Sequence, residues 1–192
     1  PVSGVWDWEH SPYLVQGNIT VDANSRLQVG PGVEVRFAPG TGLTVEGVLE
    51  ARGVDNGTDV APILFTSGDE IPTSGDWLGL EFRRNTSNDS VLDSTIVEYA
   101  ILGVTCDDSS PDFYHCIFRQ CSQDGARIRG VAGWSTTRIA GPTFQDCMFV
   151  ENTEDGIGNF SGGSHWWSHT SGHAGGRLFN CVVAFNGRDG IK

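Results

Sequence analysis

This chain of 192 residues reads as an all-β solenoid, in which short parallel strands are wound coil upon coil. A ten-residue phrase occurs three times: Cys116-Ile-Phe-Arg-Gln-Cys-Ser-Gln-Asp-Gly125, Cys147-Met-Phe-Val-Glu-Asn-Thr-Glu-Asp-Gly156 and Cys181-Val-Val-Ala-Phe-Asn-Gly-Arg-Asp-Gly190. Its frame is Cys, two apolar residues, two variable ones, Asn or Cys, two more, then Asp-Gly. A strand and a bend that return in register behave as stacked rungs. The first half of the chain is a series of short runs with period-two alternation. The spacing between runs is too short for crossover helices, so parallel pairing requires winding.

The elements follow in order. Residues 1–10 form a leader with Trp6 and Trp8, expected to cap the open bottom of the stack, because a first rung must be shielded from water and from other sheet edges. The solenoid is expected over residues 11–192. Its strands begin at Asn18-Ile-Thr-Val21, Arg26-Leu-Gln-Val29, Val33-Glu-Val-Arg-Phe37, Leu43-Thr-Val-Glu-Gly-Val-Leu49 and Ile63-Leu-Phe-Thr66, broken by Gly30-Pro-Gly32, Pro39-Gly-Thr-Gly42 and Gly53. A second set starts at Asp76-Trp-Leu-Gly-Leu-Glu-Phe82 and continues through Ser94-Thr-Ile-Val-Glu-Tyr-Ala100, with Thr95 and Ala100 in the places of Cys116 and Cys121. About nine coils result at this strand spacing.

From Thr95 to Cys116 is 21 residues, a plain coil; Cys116 to Cys147 is 31 and Cys147 to Cys181 is 34. The last two coils therefore carry insertions, 129–142 and 158–176, expected to leave one corner after the Asp-Gly bend and to pack on each other. The last phrase stops at Lys192, where earlier copies run on, so the solenoid is expected to be cut inside a longer one.

A formal net charge of -12 excludes nucleic-acid backbones and anionic membrane surfaces as partners. No apolar run reaches the length of a membrane span. Five of the nine Asn residues, Asn18, Asn56, Asn85, Asn88 and Asn159, head Asn-x-Ser/Thr sequons, an excess that points to an N-glycosylated protein of the cell exterior or cell surface.

Several of these segments carry a resemblance. Ser11-Pro-Tyr followed by Gly17-Asn-Ile-Thr-Val, then residues 27–37, Leu43-Thr-Val-Glu-Gly-Val-Leu-Glu-Ala51, Pro62-Ile-Leu-Phe-Thr-Ser67 and Trp77-Leu-Gly-Leu-Glu-Phe82, resemble the right-handed, single-stranded parallel β-helix domains of secreted and cell-surface proteins. This pectate-lyase-like superfamily holds polysaccharide-cleaving enzymes, adhesins and junction proteins alike, so the resemblance implies a fold and leaves the activity open. Within it, the extracellular β-helix segments of large adhesion proteins are the nearest likeness.

Cys116, Cys147 and Cys181 share one register position and are expected to stack in the core as small apolar side chains. A bridge between neighbouring rungs would be strained, and Cys106 with Cys121, outside that file, is the better pair for a disulfide. Asn152 and Asn186 share a turn position where stacked amides bond to each other and to turn backbone. Asp124, Asp155 and Asp189 form a file in which Asp accepts from its own backbone and the following Gly supplies a positive φ. Calcium between these carboxylates is a minor alternative; no cofactor is assigned.

The second insertion is dense in Gly and Ser and holds His165, Trp166, Trp167, His169 and His173. With Trp134 from the first insertion, these form the expected contact surface, for a protein neighbour or for sugar rings stacked on the indoles. The plainer alternative is that the indoles pack on the solenoid flank. Catalysis finds little company. Asp107-Asp108, Arg127-Ile-Arg129 and Ser171-Gly-His173 come in a different order from the polygalacturonase set, and Arg83-Arg84 lacks the Asp cluster of a pectate lyase. No residue is assigned a catalytic role. The expectation is a structural or adhesive rod, self-associating or bound to a protein partner, with a carbohydrate-binding or polysaccharide-degrading protein as the alternative.

Overall fold

The computed structural model describes residues 1–55, 57–83, 89–130, 141–161 and 176–192. They form a parallel β-helix. Each coil crosses three sheets in turn, and strands equivalent from coil to coil pair in parallel. The first sheet stacks Gly4–Trp6, Arg26–Val29, Val48–Arg52, Val91–Asp93, Asp112–Tyr114, Thr143–Gln145 and Arg177–Phe179. The second stacks Tyr13–Val15, Glu34–Phe37, Ile63–Ser67, Thr95–Glu98, Ile117–Arg119, Met148–Val150 and Val182–Ala184. The third stacks Ile19–Val21, Gly42–Val45, Gly79–Phe82, Val104–Asp107, Ala126–Gly130 and Ile157–Ser161.

The described residues thus make seven coils rather than about nine. The difference lies in the third coil, where Val48–Arg52, Ile63–Ser67 and Gly79–Phe82 are successive sides of one turn. That coil is swollen by an antiparallel hairpin, Val54–Asp55 with Val60–Ala61, and by residues 68–76. Strand runs in the sequence count sides, and three sides make a coil.

Parallel register places like on like inside the tube. Phe65, Val97, Phe118, Phe149 and Val183 form one inward file, and Leu92, Phe113, Phe144 and Leu178 another. Phe113 stacks on Phe144 with ring centroids 4.7 Å apart, Phe118 on Phe149 at 5.1 Å, and Phe118 meets Phe144 edge-on at 6.1 Å. Such buried rings contribute several kcal/mol each. Trp77 closes the wider third coil: its ring lies 4.1 Å from Phe37 and its Nε1 donates to the Glu98 carbonyl at 2.8 Å.

At the other end, part of the leader is a rung. Gly4–Trp6 pairs with Arg26–Val29, and Trp6 stacks on Tyr13 at 4.6 Å. Trp8 covers nothing; it opens a short 3-10 turn, Trp8–His10, and is 69% exposed.

Candidate functional site

The corners decide which side chains leave the tube and where. From the fourth coil on, the first and second sheets are joined through a single left-handed residue: Ser94, His115, Asp146 and Asn180, with φ of 48°, 52°, 56° and 50°. The longer connections from the second sheet to the third, residues 99–103, 120–125 and 151–156, and the chain after the last strand of the second sheet each open on a left-handed residue as well, Tyr99, Gln120, Glu151 and Phe185, with φ of 59°, 54°, 58° and 57°.

Behind each corner stands a ladder. Thr95 donates to the Asp93 carbonyl, and Cys116, Cys147 and Cys181 donate to the carbonyls of Tyr114, Gln145 and Phe179 at 3.2, 3.3 and 3.3 Å. Each thiol also faces a carbonyl of the coil below. At the second corner Asn152 accepts from the Cys121 amide at 3.1 Å, and Asn186 accepts from the Asn152 amide at 3.1 Å. Their Nδ2 groups donate to the carbonyls of Phe118 and Phe149. These side-chain amides, Asn152 buried and Asn186 half-buried, satisfy backbone groups that a sharp bend leaves unpaired.

Asp124 and Asp155 are buried, and each accepts the amide of its counterpart one rung on, Asp155 at 3.1 Å and Asp189 at 3.0 Å. The bonding runs between rungs, not within the turn. Nor do Gly125, Gly156 and Gly190 have positive φ. Gly125 and Gly156 are needed for closeness: a Cβ on Gly125 would lie 2.9 Å from the Gly156 carbonyl oxygen, and one on Gly156 2.7 Å from that of Gly190. Arg127 donates to Asp124 at 2.7 Å, where Gly158 leaves room for the carboxylate.

Cys106 and Cys121 are free thiols. Cys121 lies against Gly103, and Cys106 is three residues further along the same strand direction, about 10 Å at the rise of a β-strand. That exceeds the reach of a disulfide. Burial pushes the Cys121 thiol up to about 12 and raises Cys106 and Cys116 as well. Thiols held neutral this way are packing groups, not nucleophiles.

Trp134, His165, Trp166, Trp167, His169 and His173 lie outside the described residues, as do Asn56, Asn85 and Asn88. Asn18 is exposed, and its Oδ1 accepts from the Gly42 amide at 3.1 Å. Asn159 pairs in backbone register with Ile128. Among the described residues no group of three or more His, Cys, Asp or Glu is arranged to hold a metal ion, and no helix is long and apolar enough to cross a membrane.

Three surface features escape sequence reasoning. On the first corner, His115 Nδ1 lies 2.9 Å from Asp93 and its Nε2 3.8 Å from Asp146, which also takes the Asn180 amide. The hydrogen bond that the Asp93 carboxylate accepts raises the His115 pKa above its ordinary value. The enrichment of Asp, Asn and His among left-handed residues was a usable signal there. On the third sheet's outer face, a groove of ≈ 270 Å³ is lined by Asn18, Thr44, Glu81, Arg83, Thr105 and Arg129. On the second sheet's outer face, Glu98 is buried between Thr66, at 2.9 Å, and Arg119, whose Nε and a terminal nitrogen donate at 2.8 and 2.6 Å. The last two need partners from two or three coils, which no local pattern displays.

No protein-family model matches the chain, and no solved structure matches it. Over 43 residues it is 49% identical to Protein bark beetle of Drosophila melanogaster. The match covers 22% of this chain and 1% of that protein.

Proposed function

We propose that this chain is an extracellular structural or adhesive module, a stiff rod whose side presents contact surface. The supporting observation is the uninterrupted stacking of seven coils, in which three parallel sheets and internal Phe, Cys, Asn and Asp ladders couple each rung to the next. Stability in such an array sums over neighbouring rungs, so the rod resists bending without a wide core. Its seven rungs span about 30 Å at the spacing of paired strands. The sequon excess and the resemblance to β-helix segments of cell-surface adhesion proteins support the extracellular placement. The short likeness to Protein bark beetle is a shared segment and carries no activity across.

The test is to secrete the chain from a eukaryotic cell, measure its mass before and after enzymatic removal of N-glycans, and coat beads with it. Glycan loss on the mass scale and bead clustering, with itself or with cells, are expected. An unglycosylated product that never clusters would remove the reading.

The groove on the third sheet favours a second reading, a carbohydrate-binding or polysaccharide-degrading protein. Its walls carry Asn18, Thr44, Glu81 and Thr105 as hydroxyl partners and Arg83 and Arg129 as cations. Asp107 lies in register with Arg129, while Arg127 is taken up by Asp124 and Glu154. Incubation with neutral and uronic-acid polymers, with calcium, separates the two: retention or cleavage lost on Arg129→Ala would establish the alternative.

A further inference from the structure

The outer faces of the three sheets differ in chemistry. On the third, Thr44, Glu81, Thr105 and Arg127 stand in one outward file. On the first, Gln28, Glu50, Val91, Asp112, Thr143 and Arg177 follow one another, polar but for Val91. On the second, Leu64, Ile96, Ile117, Met148 and Val182 follow one another in register over five consecutive coils. They point outward, since their strand neighbours Phe65, Val97, Phe118 and Phe149 are in the core. Leu64, Ile96 and Ile117 are half-buried, while Met148 is 38% and Val182 48% exposed. Val150 and Ala184 widen the strip by a second file.

A continuous apolar strip on an exposed sheet face marks a contact surface. Its shape selects the occupant. The strip is one to two files wide, too narrow for the face of a second sheet, which spreads over several strands. It runs about 19 Å from the first rung to the last at the spacing of paired strands. An α-helix of about 13 residues covers that length, and its 5.4 Å pitch stays close to the rung spacing over so short a run.

The borders select its charge. Asp93 and Asp146 lie along one side and Glu151 along the other, while Arg119 is engaged by Glu98 and His115 by Asp93. With the net charge of -12, the border favours a cationic partner. We propose that the outer face of the second sheet docks a basic amphipathic helix of a protein partner, laid along the rod axis with its apolar stripe on Ile96, Ile117, Met148 and Val182.

A synthetic helical peptide of about 14 residues, with Leu at i, i+4, i+7 and i+11 and Lys on the flanks, tests it by fluorescence anisotropy against the whole chain. Saturable binding is expected, weakened at least about tenfold by Met148→Lys or Ile117→Lys and unchanged by Gln28→Lys at an exposed position of the first sheet. Circular dichroism and the thermal midpoint establish that each variant is folded. Met148, already half in solvent, keeps the test usable if Ile117→Lys does not fold. Equal binding of a same-charge peptide with scrambled Leu positions would overturn the proposal, as would variants that bind like the parent. A concentration-dependent dimer, abolished by Met148→Lys in sedimentation, would overturn it in favour of a second copy. The proposal rests on the rod reading above, yet the two fail separately: bead clustering that survives Met148→Lys leaves the rod standing with its contact elsewhere.

Discussion

Two connections of each later coil are nearly constant from rung to rung, one or two residues between the first and second sheets and five or six between the second and third, each opening on one left-handed residue, whereas the third is free in length. Between the third and first sheets the connection is residues 46–47 in one coil, 22–25 in another, 83–90, 108–111, 131–142 and 162–176 in the rest. The tight corners are fixed because each bend leaves backbone groups that only a ladder residue one rung away can satisfy, as Asn152 does for Cys121. At the third corner Ser90, Ser109 and Ser110 also bond to backbone of a neighbouring coil, but from positions that do not recur from rung to rung, so insertion there costs mainly loop closure. Both long insertions start at this corner, one strand beyond the Asp-Gly turn. The Asp-Gly turn is itself tight, held by rung-to-rung bonds from Asp124 and Asp155.

The contrast predicts its own largest breakage. One Gly inserted after Gln120 moves every following residue off the Asn and Asp ladders, and cooperative thermal unfolding should be lost or fall by many degrees. The same insertion after Asn24, in an exposed turn of the free corner, should cost less than about 1 kcal/mol in denaturant unfolding. Equal losses at both positions would dissolve the distinction. A smaller break is Asn152→Ala, which strands the Cys121 amide and the Phe118 carbonyl in the core; about 3 kcal/mol of stability should go.

Glycine sharpens the same contrast through opposite signs. Gly103→Ala drives a Cβ to 2.4 Å from the Gly125 carbonyl oxygen, rigid backbone that cannot retreat, and should cost about 2 kcal/mol. Gln120→Gly removes a Cβ from a left-handed corner and should be neutral or stabilising by up to about 1 kcal/mol. Matched urea titrations decide: if Gln120→Gly costs as much as Gly103→Ala, the corner is not where backbone strain lies.

Much of this was legible in the sequence because stacking turns three-dimensional neighbours into repeats. The Cys, Asn and Asp files were visible as positions, since each recurs in the ten-residue phrase. Their bonding was not. Whether Asp124 accepts within its own turn or from Asp155 depends on the rung spacing, and a repeat is silent on that distance. The glycines misled for a related reason: Gly next to Asp suggests a positive φ, yet the left-handed residues are the non-glycines just before the ladders. The apolar strip of the second sheet was hidden in plain alternation, because Ile96, Ile117 and Met148 look like core until Phe118 and Phe149 are seen to occupy it.

The smallest effect concerns the outer edge of the first corner and has a definite sign. His115 is bonded to Asp93 and near Asp146, so its pKa in the folded chain is raised, whereas an unfolded His titrates near its ordinary value of about 6.5. A raised folded pKa means that the folded state holds the proton more tightly. The stabilisation is complete below the unfolded value and is lost as pH rises through the raised folded one. His115 is 54% exposed in its side chain, and solvent screening holds the effect below about 1 kcal/mol. His115→Asn keeps a residue that tolerates the left-handed corner and removes the titration. The parent should gain on the variant in thermal midpoint as pH falls from the raised folded value to the unfolded one, and less so in high salt. A constant difference between them would mean that the corner is held by its backbone ladder alone, with the charges outside it contributing nothing.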